Sequence, residues 1–419
     1  MPRLPQVIIV GGGFAGLAAA RRLRTVQCEV TLIDRHNHHV FQPLLYQVAT
    51  AGLSPGDIAS PIRWILRKQA RLRVLLATVQ AIDSKNKQIR LDGPSGETLS
   101  YDYLIVAAGA THSYFGHDEW SQAAPGLKTL DDALTIRRRL LLAFEEAERE
   151  PNPVYQRRLL TFVLIGGGPT GVEMAGALGE IAREALTSEF DAVDPAIARI
   201  ILIEAGPAIL PSFPPDLRAS AKRALLRLGI DVREGQAVTN VEEGAVWIGD
   251  ERIEAHTILW AAGVAAAPLS RDLGPALDRA GRVIVEPDLA APGHAGVFIA
   301  GDLASFSHQT GKPLPGVAQV AKQEGAHAAA NVARLIAGEP TKPFRYFDPG
   351  NMATIGRNNA IADFGFLRVS GYLGWLLWLF VHIAFLIGFR NRASVMLQWG
   401  AAYFTYQRSV RLITRNPPG

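Results

Sequence analysis

Two glycine clusters with the spacing G-x-G-x-x-G are the parts of this sequence best suited to hold a ligand. In each, the first glycine permits a tight turn, the second lets a pyrophosphate approach the backbone, and the third lets a helix pack closely. The start of that helix offers unpaired N–H groups to phosphates. Each cluster therefore predicts a dinucleotide site. The clusters are Gly11, Gly13 and Gly16, and Gly166, Gly168 and Gly171.

Each cluster is followed by a second apolar strand that ends on an acid, Asp34 in the first copy and Glu204 in the second. A carboxylate at this point can accept the ribose hydroxyls of the adenosine half of a dinucleotide. At Glu204 it would also repel a 2′-phosphate, which favours NADH over NADPH. A nearby basic group, such as Arg218, would weaken that preference.

Later strands are expected to return to the same two sites. The runs 101–109 and 258–263 both end in Ala-Ala-Gly, and the run 297–302 ends in Gly301 and Asp302. Ligands bind at the carboxyl ends of parallel strands, so Asp302 is placed to bind a ribityl chain. The alternative is an acid that caps a helix. The repeated order of elements indicates an internal duplication.

Three further side chains could act on a substrate. Glu173 begins the helix after the second cluster, where it could relay protons or simply stabilise the helix start. Gln319 and Gln323 are four residues apart and share one helix face. Two neutral amides suit a carbonyl ligand, although glutamines are also common on helix surfaces.

Composition narrows the class of protein. The chain has 419 residues, 48% of them hydrophobic, which predicts two or three domains and little disorder. Cys28 is the single cysteine, so a disulfide framework, a cysteine metal site and a dithiol redox pair are excluded, and the compartment is expected to be reducing. The histidines at 36, 38 and 39 lack accompanying ligands, and no metal site is predicted. No secretory signal precedes the first strand.

The last segment of the chain has the composition of a lipid-binding surface. From 364 to 419 there are six arginines, no Asp or Glu, and many aromatic residues, which favours an anionic membrane over nucleic acid. The run 372–389 is apolar except for His382 and could span a bilayer or pack as a core helix. The segment 393–415 is predicted to be an amphipathic interfacial helix with its arginines on the polar face. A dimer contact could share that face.

These patterns predict an α/β fold with two Rossmann-like dinucleotide-binding domains and a C-terminal amphipathic helical region that anchors the chain to a membrane. The domain boundaries follow from the proline breaks and the repeats. The first dinucleotide-binding domain is predicted to be discontinuous, with a first segment at 1–115 and a second at 281–350. Between them lie a connecting helix at 116–155 and an NADH-binding domain at 156–280, and a membrane-associated region follows at 351–419.

The motifs together resemble the two-dinucleotide flavoprotein reductases and, within them, the type II NADH:quinone oxidoreductases. The specific marks are FQPLLYQVAT at 41–50, GPTGVEMAG around Glu173, AQVAKQ at 318–323 and the basic aromatic tail. Disulfide reductases and sulfide:quinone oxidoreductases need more cysteines than this chain has. One departure is that some family members carry a lysine in the C-terminal apolar helix, where this chain has only His382.

The resemblance implies a non-covalent FAD, NADH as substrate, and a quinone, either ubiquinone or menaquinone, near Glu173, Gln319 and Gln323. It implies NADH oxidation without proton pumping, by a peripheral, monotopic enzyme on the cytoplasmic side of the inner membrane. The alternatives are a soluble NADH-dependent reductase that serves a small redox protein, and a non-enzymatic NADH sensor. The implied FAD residues are Gly11, Gly12, Gly13, Phe14, Ala15, Gly16, Asp34, Arg35, Val79, Ala110, Gly301, Asp302, Ala318 and Gln319. The implied NADH residues are Gly166, Gly168, Pro169, Thr170, Gly171, Glu204 and Gly263.

Overall fold

Two parallel sheets carry the two glycine clusters. The computed structural model describes residues 3–93, 96–187, 189–274, 276–386, 392–397, 399–400 and 410–413. The chain divides into two units. The first is Met1–Val40, Ala59–Thr111 and Val264–Asp348, and the second is Phe41–Ile58, His112–Gly263 and Pro349–Gly419.

Helices and strands are numbered in chain order. The helices are α1 Phe14–Arg22, α2 Leu45–Ala49, α3 Pro55–Ile58, α4 Ile62–Leu66, α5 Trp120–Ala123, α6 Leu130–Arg149, α7 Pro153–Leu159, α8 Pro169–Glu180, α9 Pro215–Arg227, α10 Ala318–Ile336 and α11 Gly371–Phe385. The strands are β1 Gln6–Val10, β2 Glu29–Asp34, β3 His38–Val40, β4 Ala59–Pro61, β5 Leu72–Leu76, β6 Val79–Asp83, β7 Gln88–Leu91, β8 Thr98–Ser100, β9 Tyr103–Val106, β10 Ala110–His112, β11 Thr161–Ile165, β12 Arg199–Glu204, β13 Ile230–Glu234, β14 Val238–Glu242, β15 Ala245–Ile248, β16 Glu251–Glu254, β17 Thr257–Trp260, β18 Val264–Ala266, β19 Val283–Ile284, β20 Val297–Ile299, β21 Ala304–Ser305, β22 Asn351–Thr354, β23 Ala360–Asp363 and β24 Arg368–Ser370.

The first unit is built on a five-stranded parallel sheet in the order β20-β9-β1-β2-β5. Its central strand β1 is a run of β-branched residues, and Val7 to Val10 are all buried, as expected of a strand covered on both faces. An antiparallel sheet of β6, β7 and β8 lies in the same unit. The carboxyl end of β1 therefore leads directly into the first glycine cluster.

The second unit repeats this arrangement. Its parallel sheet has the order β13-β12-β11-β17, which matches the order β5-β2-β1-β9 of the first unit strand for strand. An antiparallel sheet of β14, β15 and β16 packs on it through a core that includes Trp120 and Trp260. Two Rossmann-like units are thus confirmed, and so is the internal duplication.

The C-terminal region of the second unit includes the antiparallel sheet β22-β23-β24 and helix α11. Helix α11 packs on β23 so closely that a Cβ at Gly374 would lie 2.5 Å from the carbonyl oxygen of Ala360. Among the described residues, no helix is both long and apolar enough to cross a membrane. Residues 387–389 of the apolar run lie outside the described residues.

The predicted interfacial helix at 393–415 is wrong at its far end. Residues 392–397 and 399–400 are helical, but Val410 lies in a turn and 411–413 are not helical. Arg411 was expected to face lipid headgroups, yet its guanidinium pairs with Glu189 at 2.5 Å and donates to the carbonyl of Ala185 at 2.8 Å. These contacts fix the segment to the protein. Residues 401–409 and 414–415, including Arg408 and Arg415, lie outside the described portion of the chain.

Candidate cofactor and substrate sites

The first glycine cluster has the backbone geometry that its spacing predicts. Gly11 has φ +102°, a left-handed conformation, and a Cβ on Gly16 would collide with the carbonyl oxygen of Gly11. Gly13 differs from both. Its backbone is extended at φ −71°, and a Cβ there would meet nothing within 4 Å. Gly13 therefore faces open space at the start of α1, where a pyrophosphate could approach.

Asp34 holds this loop in place. One carboxylate oxygen accepts the N–H of Gly12 at 2.5 Å, and the other accepts the N–H of His36 at 2.7 Å. Each oxygen has a further lone pair, and the side chain is 17% exposed, so ribose hydroxyls could still donate to it. The same carboxylate can thus order the glycine loop and bind a nucleoside.

The second cluster has the same geometry. Gly166 has φ +112°, a Cβ on Gly171 would meet the carbonyl oxygen of Gly166, and a Cβ on Gly168 would meet nothing within 4 Å. Glu204 accepts the N–H of Gly167 and that of Gly206, both at 2.6 Å. The acid at the end of the second strand therefore has the same structural role in both units.

The other residues expected to contact a dinucleotide lie near these loops. In the first unit, Arg35 follows β2, Val79 begins β6, Ala110 begins β10, and Phe14, Ala15 and Ala318 lie in the first turns of α1 and α10. In the second unit, Pro169 and Thr170 open α8, and Gly263 follows β17. Which of these side chains touch a ligand stays a prediction.

Phe115 is a residue that the sequence did not single out. Its ring lies against Gly263, where a Cβ would be 2.6 Å from the ring. The ring is 66% exposed and the backbone adopts φ +55°, which is uncommon for a bulky residue. The Phe115 ring therefore packs on the glycine turn that follows β17, a strand of the same sheet as β11. Local sequence carries no signal for this contact.

Asp302 lies in a short 3₁₀ turn, Gly301–Leu303, at the end of β20. The capping position before this turn is Ala300, and Asp302 lies within the turn, so Asp302 is not its capping residue. Gly301 has φ +77°, and a Cβ on Gly316 would lie 3.3 Å from a carboxylate oxygen of Asp302. The turn therefore presents a carboxylate next to a glycine loop, as a ribityl-binding acid would require.

The two glutamines of α10 differ in their surroundings. The Gln323 amide donates to the carbonyl of Phe347 at 2.8 Å and accepts the N–H of the same residue at 3.0 Å. The side-chain amide of Gln319, one turn earlier, makes no hydrogen bond to the described residues. Of the two, Gln319 is the one whose amide remains available to a ligand.

Glu173 lines an open pocket in the second unit, with a volume of about 700 Å³ that includes solvent at its mouth. The surrounding protein desolvates its carboxyl group and raises the pKa to about 8, although the N–H of Thr354 donates to it at 3.4 Å. Glu173 is therefore mostly protonated at pH 7. Other residues of the pocket wall are Glu180, Thr354, Trp375, Trp378 and Trp399.

Contacts between distant segments shape this pocket. Trp399 donates its indole N–H to the Gln47 side chain at 2.8 Å, and Glu180 accepts the N–H of Arg357. Behind Trp378, the ring of His382 stacks on the indole, and Nδ1 lies 2.7 Å from the Trp378 carbonyl oxygen. Burial lowers the pKa of His382 to about 4, so it is neutral at pH 7. The pocket thus combines an uncharged acid with indole rings.

The histidines after β2 do not gather into a metal site. His39 is buried, its Nδ1 lies 3.3 Å from the carbonyl oxygen of Gly12, and burial lowers its pKa to about 4. Within the described residues, no group of three or more His, Cys, Asp or Glu side chains could hold a metal ion.

Comparisons with known proteins agree with the arrangement. Residues 5–325 match the pyridine nucleotide-disulphide oxidoreductase family, and 349–408 match the NDH2 C-terminal domain. A solved structure of NDH2 from Plasmodium falciparum in complex with NADH has the same fold, with a TM-score of 0.88, 20% identity and coverage of 99% of this chain and 100% of that one.

Sequence relatives are more specific. Type II NADH:quinone oxidoreductase Ndh of Mycobacterium tuberculosis is 44% identical, over 99% of this chain and 91% of its own length. NdhA of the same organism is 45% identical, over 98% and 89%. The resemblance of the motifs is confirmed, and the chain belongs to the type II NADH:quinone oxidoreductase family.

Proposed function

We propose that this protein oxidises NADH and reduces a membrane quinone by two electrons, through a bound FAD and without pumping protons. The observation that carries the proposal is the presence of two complete dinucleotide loops of the same geometry in one chain. One loop suits a resident FAD and the other an exchanging NADH. A soluble reductase for a small redox protein, the alternative, would not need the apolar C-terminal helix.

The residues of the first unit fit FAD. The open space at Gly13 and the start of α1 suit the pyrophosphate, Asp34 suits the ribose hydroxyls, and Asp302 suits the ribityl chain. A bound FAD would supply the redox chemistry, since its isoalloxazine ring accepts a hydride from NADH and then gives two electrons to a quinone.

The residues of the second unit fit NADH. Gly168 leaves room for the pyrophosphate, and Glu204 favours a free 2′-hydroxyl and repels a 2′-phosphate. Among the described residues, neither oxygen of Glu204 is paired with a cation; both are held by backbone N–H groups. The position of this carboxylate supports a preference for NADH over NADPH.

In this proposal, Glu173 donates a proton to the quinone as the quinone is reduced. Reduction of a quinone to a quinol takes up two electrons and two protons, whereas NADH supplies one hydride, so one further proton must come from the protein or solvent. Glu173 is protonated at pH 7 and faces a pocket with indole walls, and it can donate that proton and regain it from solvent. The expectation that Glu173 begins this helix is wrong, because α8 begins at Pro169 and its first turn contains no acid. The alternative role, stabilising the start of α8, therefore has little support.

Stopped-flow absorbance separates these roles. In Glu173→Gln, we expect flavin bleaching by NADH at the wild-type rate and reoxidation by a soluble quinone slowed by about a hundredfold. In the wild type, reoxidation should fall as the pH rises through about 8, because Glu173 then loses its proton. The variant should show no such fall. Glu184→Gln, an exposed acid shortly after α8, is the matched control.

Three outcomes would contradict the proposal at different steps. A wild-type protein without a bleachable flavin would refute the activity itself. Equal loss of both half-reactions in Glu173→Gln would refute the proton role. Fast reduction by NADH together with no reoxidation by any quinone would favour the small-redox-protein alternative.

The outer face of α11 is proposed to rest on the cytoplasmic surface of the inner membrane. Gly374 and Trp378 on one face are buried against the protein, whereas Leu373, Leu376 and Phe380 on the other are 65%, 41% and 70% exposed. The helix contains no charged residue, and the last 56 residues contain six arginines and no acids. Arg368 and Arg411 pair with acids of the protein, so the proposal assigns anionic headgroups only to the other four.

Vesicle flotation tests this contact. The double variant Leu376→Ser and Phe380→Ser should bind vesicles of anionic phospholipid at least about tenfold more weakly, since burial of each side chain contributes about 1.5–3 kcal/mol. The control is Val154→Ser with Ile197→Ser, which removes two exposed apolar groups elsewhere in the second unit. Unchanged binding would refute the contact, and a change of oligomeric state instead would indicate a dimer face.

A further inference from the structure

Glu324 is a buried acid that the proposed chemistry does not use. It lies in α10, directly after the AQVAKQ motif, and is 1% exposed. One carboxyl oxygen accepts the N–H of Gly301 at 2.7 Å. This bond joins α10 to the turn that carries Asp302.

The turn is held between two helices. A Cβ on Gly301 would lie 3.3 Å from the Cβ of Ala15 in α1 and 3.4 Å from that of Ala321 in α10. The helices themselves touch, because a Cβ on Gly325 would meet the carbonyl oxygen of Ala15. Glu324 thus supplies the side-chain hydrogen bond to the Gly301 N–H in a junction made otherwise of small residues.

The charges around Glu324 decide its ionisation. Burial raises its pKa to about 8, and the negative charge of Asp302 acts in the same direction, whereas the Gly301 N–H and Arg282 act in the opposite direction. The pKa of Tyr346 is raised to about 12, chiefly by burial, and the charge of an ionised Glu324 acts in the same direction. At pH 7, Glu324 is therefore mostly neutral beside an acid that a ribityl-binding role needs.

We propose that Glu324 is a positioning residue that holds the Gly301–Asp302 turn for the dinucleotide of the first glycine loop, and that it does so as the uncharged acid. The inference rests on the proposed binding of FAD. A neutral carboxyl group accepts the backbone N–H without placing a second negative charge beside Asp302. An ionised Glu324 would add a charge that repels both Asp302 and the diphosphate of the cofactor.

The sign of the pH dependence follows from linkage. FAD brings negative charge and excludes water, so binding favours the protonated form of Glu324 and raises its pKa above the value in the apoprotein. FAD binding is therefore tightest below pH 8 and weakens as the pH rises through the pKa of the apoprotein. A glutamine at this position keeps an oxygen acceptor for Gly301 but has no proton to lose.

The experiment is a titration of apoprotein with FAD, monitored by quenching of flavin fluorescence at several pH values from 6.5 to about 9. The wild-type dissociation constant should rise by about three- to tenfold over this range. Glu324→Gln should match the wild type at the lowest pH and show no rise. Glu324→Leu should bind weakly at every pH, because the Gly301 N–H loses its acceptor. Glu97→Gln, an exposed acid in the same unit, should follow the wild type.

Two results would overturn the inference. One is a rise with pH in Glu324→Gln equal to that of the wild type, and the other is wild-type affinity in Glu324→Leu. If Glu324→Leu does not fold, the pH comparison of the wild type with Glu324→Gln still decides. A wild-type apoprotein that binds no FAD at any pH would instead refute the proposed function.

Discussion

The two dinucleotide units share a loop but differ in what surrounds it. In both, a left-handed glycine ends the first strand, the second strand ends on an acid, and that acid binds the N–H of the middle glycine, Gly12 or Gly167. In the first unit, α10 lies on the loop helix and brings the Asp302 turn and Glu324 with it. The loop therefore defines the class of ligand, and the later segments define how that ligand is held and used.

The second unit holds an acid with a raised pKa in a different setting. Helix α8 is also covered by a later segment, since a Cβ on Gly176 would lie 2.7 Å from the backbone nitrogen of Gly356. Here the acid with the raised pKa, Glu173, is on the loop helix itself and faces a pocket rather than a turn. Glu324 is fully buried and accepts a backbone N–H at 2.7 Å, which suits positioning. Glu173 is partly exposed to the pocket and its backbone contact with Thr354 is longer, at 3.4 Å, which suits proton transfer.

We expect the largest effect from variants that fill the open space beside each glycine loop with a side chain. Gly13→Val and Gly168→Val place a side chain in open space on extended backbone, so both proteins should fold. We expect Gly13→Val to bind FAD about a hundredfold more weakly and to be isolated without yellow colour. Gly168→Val should keep its flavin and raise the KM for NADH to a similar degree.

The measurements are the flavin content of the purified protein and the rate of bleaching at increasing NADH. Gly16→Val is the contrasting variant, since its Cβ collides with the Gly11 carbonyl and should lower the melting temperature as well. Loss of flavin from Gly168→Val but not from Gly13→Val would reverse the assignment of the two units.

The sequence predicted these loops well because their geometry is local. Glycine spacing, strand pattern and the terminal acid all lie within about forty residues, and backbone sterics leave few alternatives. The roles of Phe115, Glu180 and Glu324 depend on contacts across the chain, which local patterns do not contain. Glu324 had one signal: it is spaced with the small residues Ala321, Gly325 and Ala328 on the buried face of α10.

The C-terminal segment, in contrast to the glycine loops, was poorly predicted from local sequence. A helical projection of 393–415 gives an apolar stripe, yet residues 410–413 are not helical, and Arg411 there binds Glu189 and the Ala185 carbonyl. An ion pair with a residue more than two hundred positions away is not visible in periodicity. A further exposed apolar face lies on α11, where the sequence is apolar on all sides and shows no stripe.

A smaller effect on nucleotide binding is expected from substitution of the acids that end β2 and β12, Asp34 and Glu204. Glu204→Gln removes the charge that repels a 2′-phosphate but keeps one acceptor for the loop N–H groups. The ratio of kcat/KM for NADH to that for NADPH should fall by about tenfold. Asp34→Asn should leave this ratio unchanged and weaken FAD binding instead. A changed ratio in Asp34→Asn would show that the two acids do not serve separate nucleotides.

The smallest effect should separate the two glutamines of α10. The side-chain amide of Gln319 has no hydrogen-bond partner among the described residues, so it is available to a quinone. Gln319→Leu should raise the KM for a quinone by about threefold to tenfold, because one hydrogen bond to the quinone is lost. Gln323 is already bonded twice to the Phe347 backbone. Gln323→Leu should therefore lower the melting temperature by a few degrees and leave that KM near the wild-type value.

Steady-state kinetics with a soluble quinone and a thermal melt of each variant are sufficient to distinguish these roles. Gln309→Leu serves as the control for Gln323→Leu, because its amide makes the same pair of bonds to the backbone of Tyr346. If Gln323→Leu raises the quinone KM as much as Gln319→Leu, both amides contact the head group, and the bonds to Phe347 must open when the quinone binds. That result would place the 346–348 segment within the quinone site.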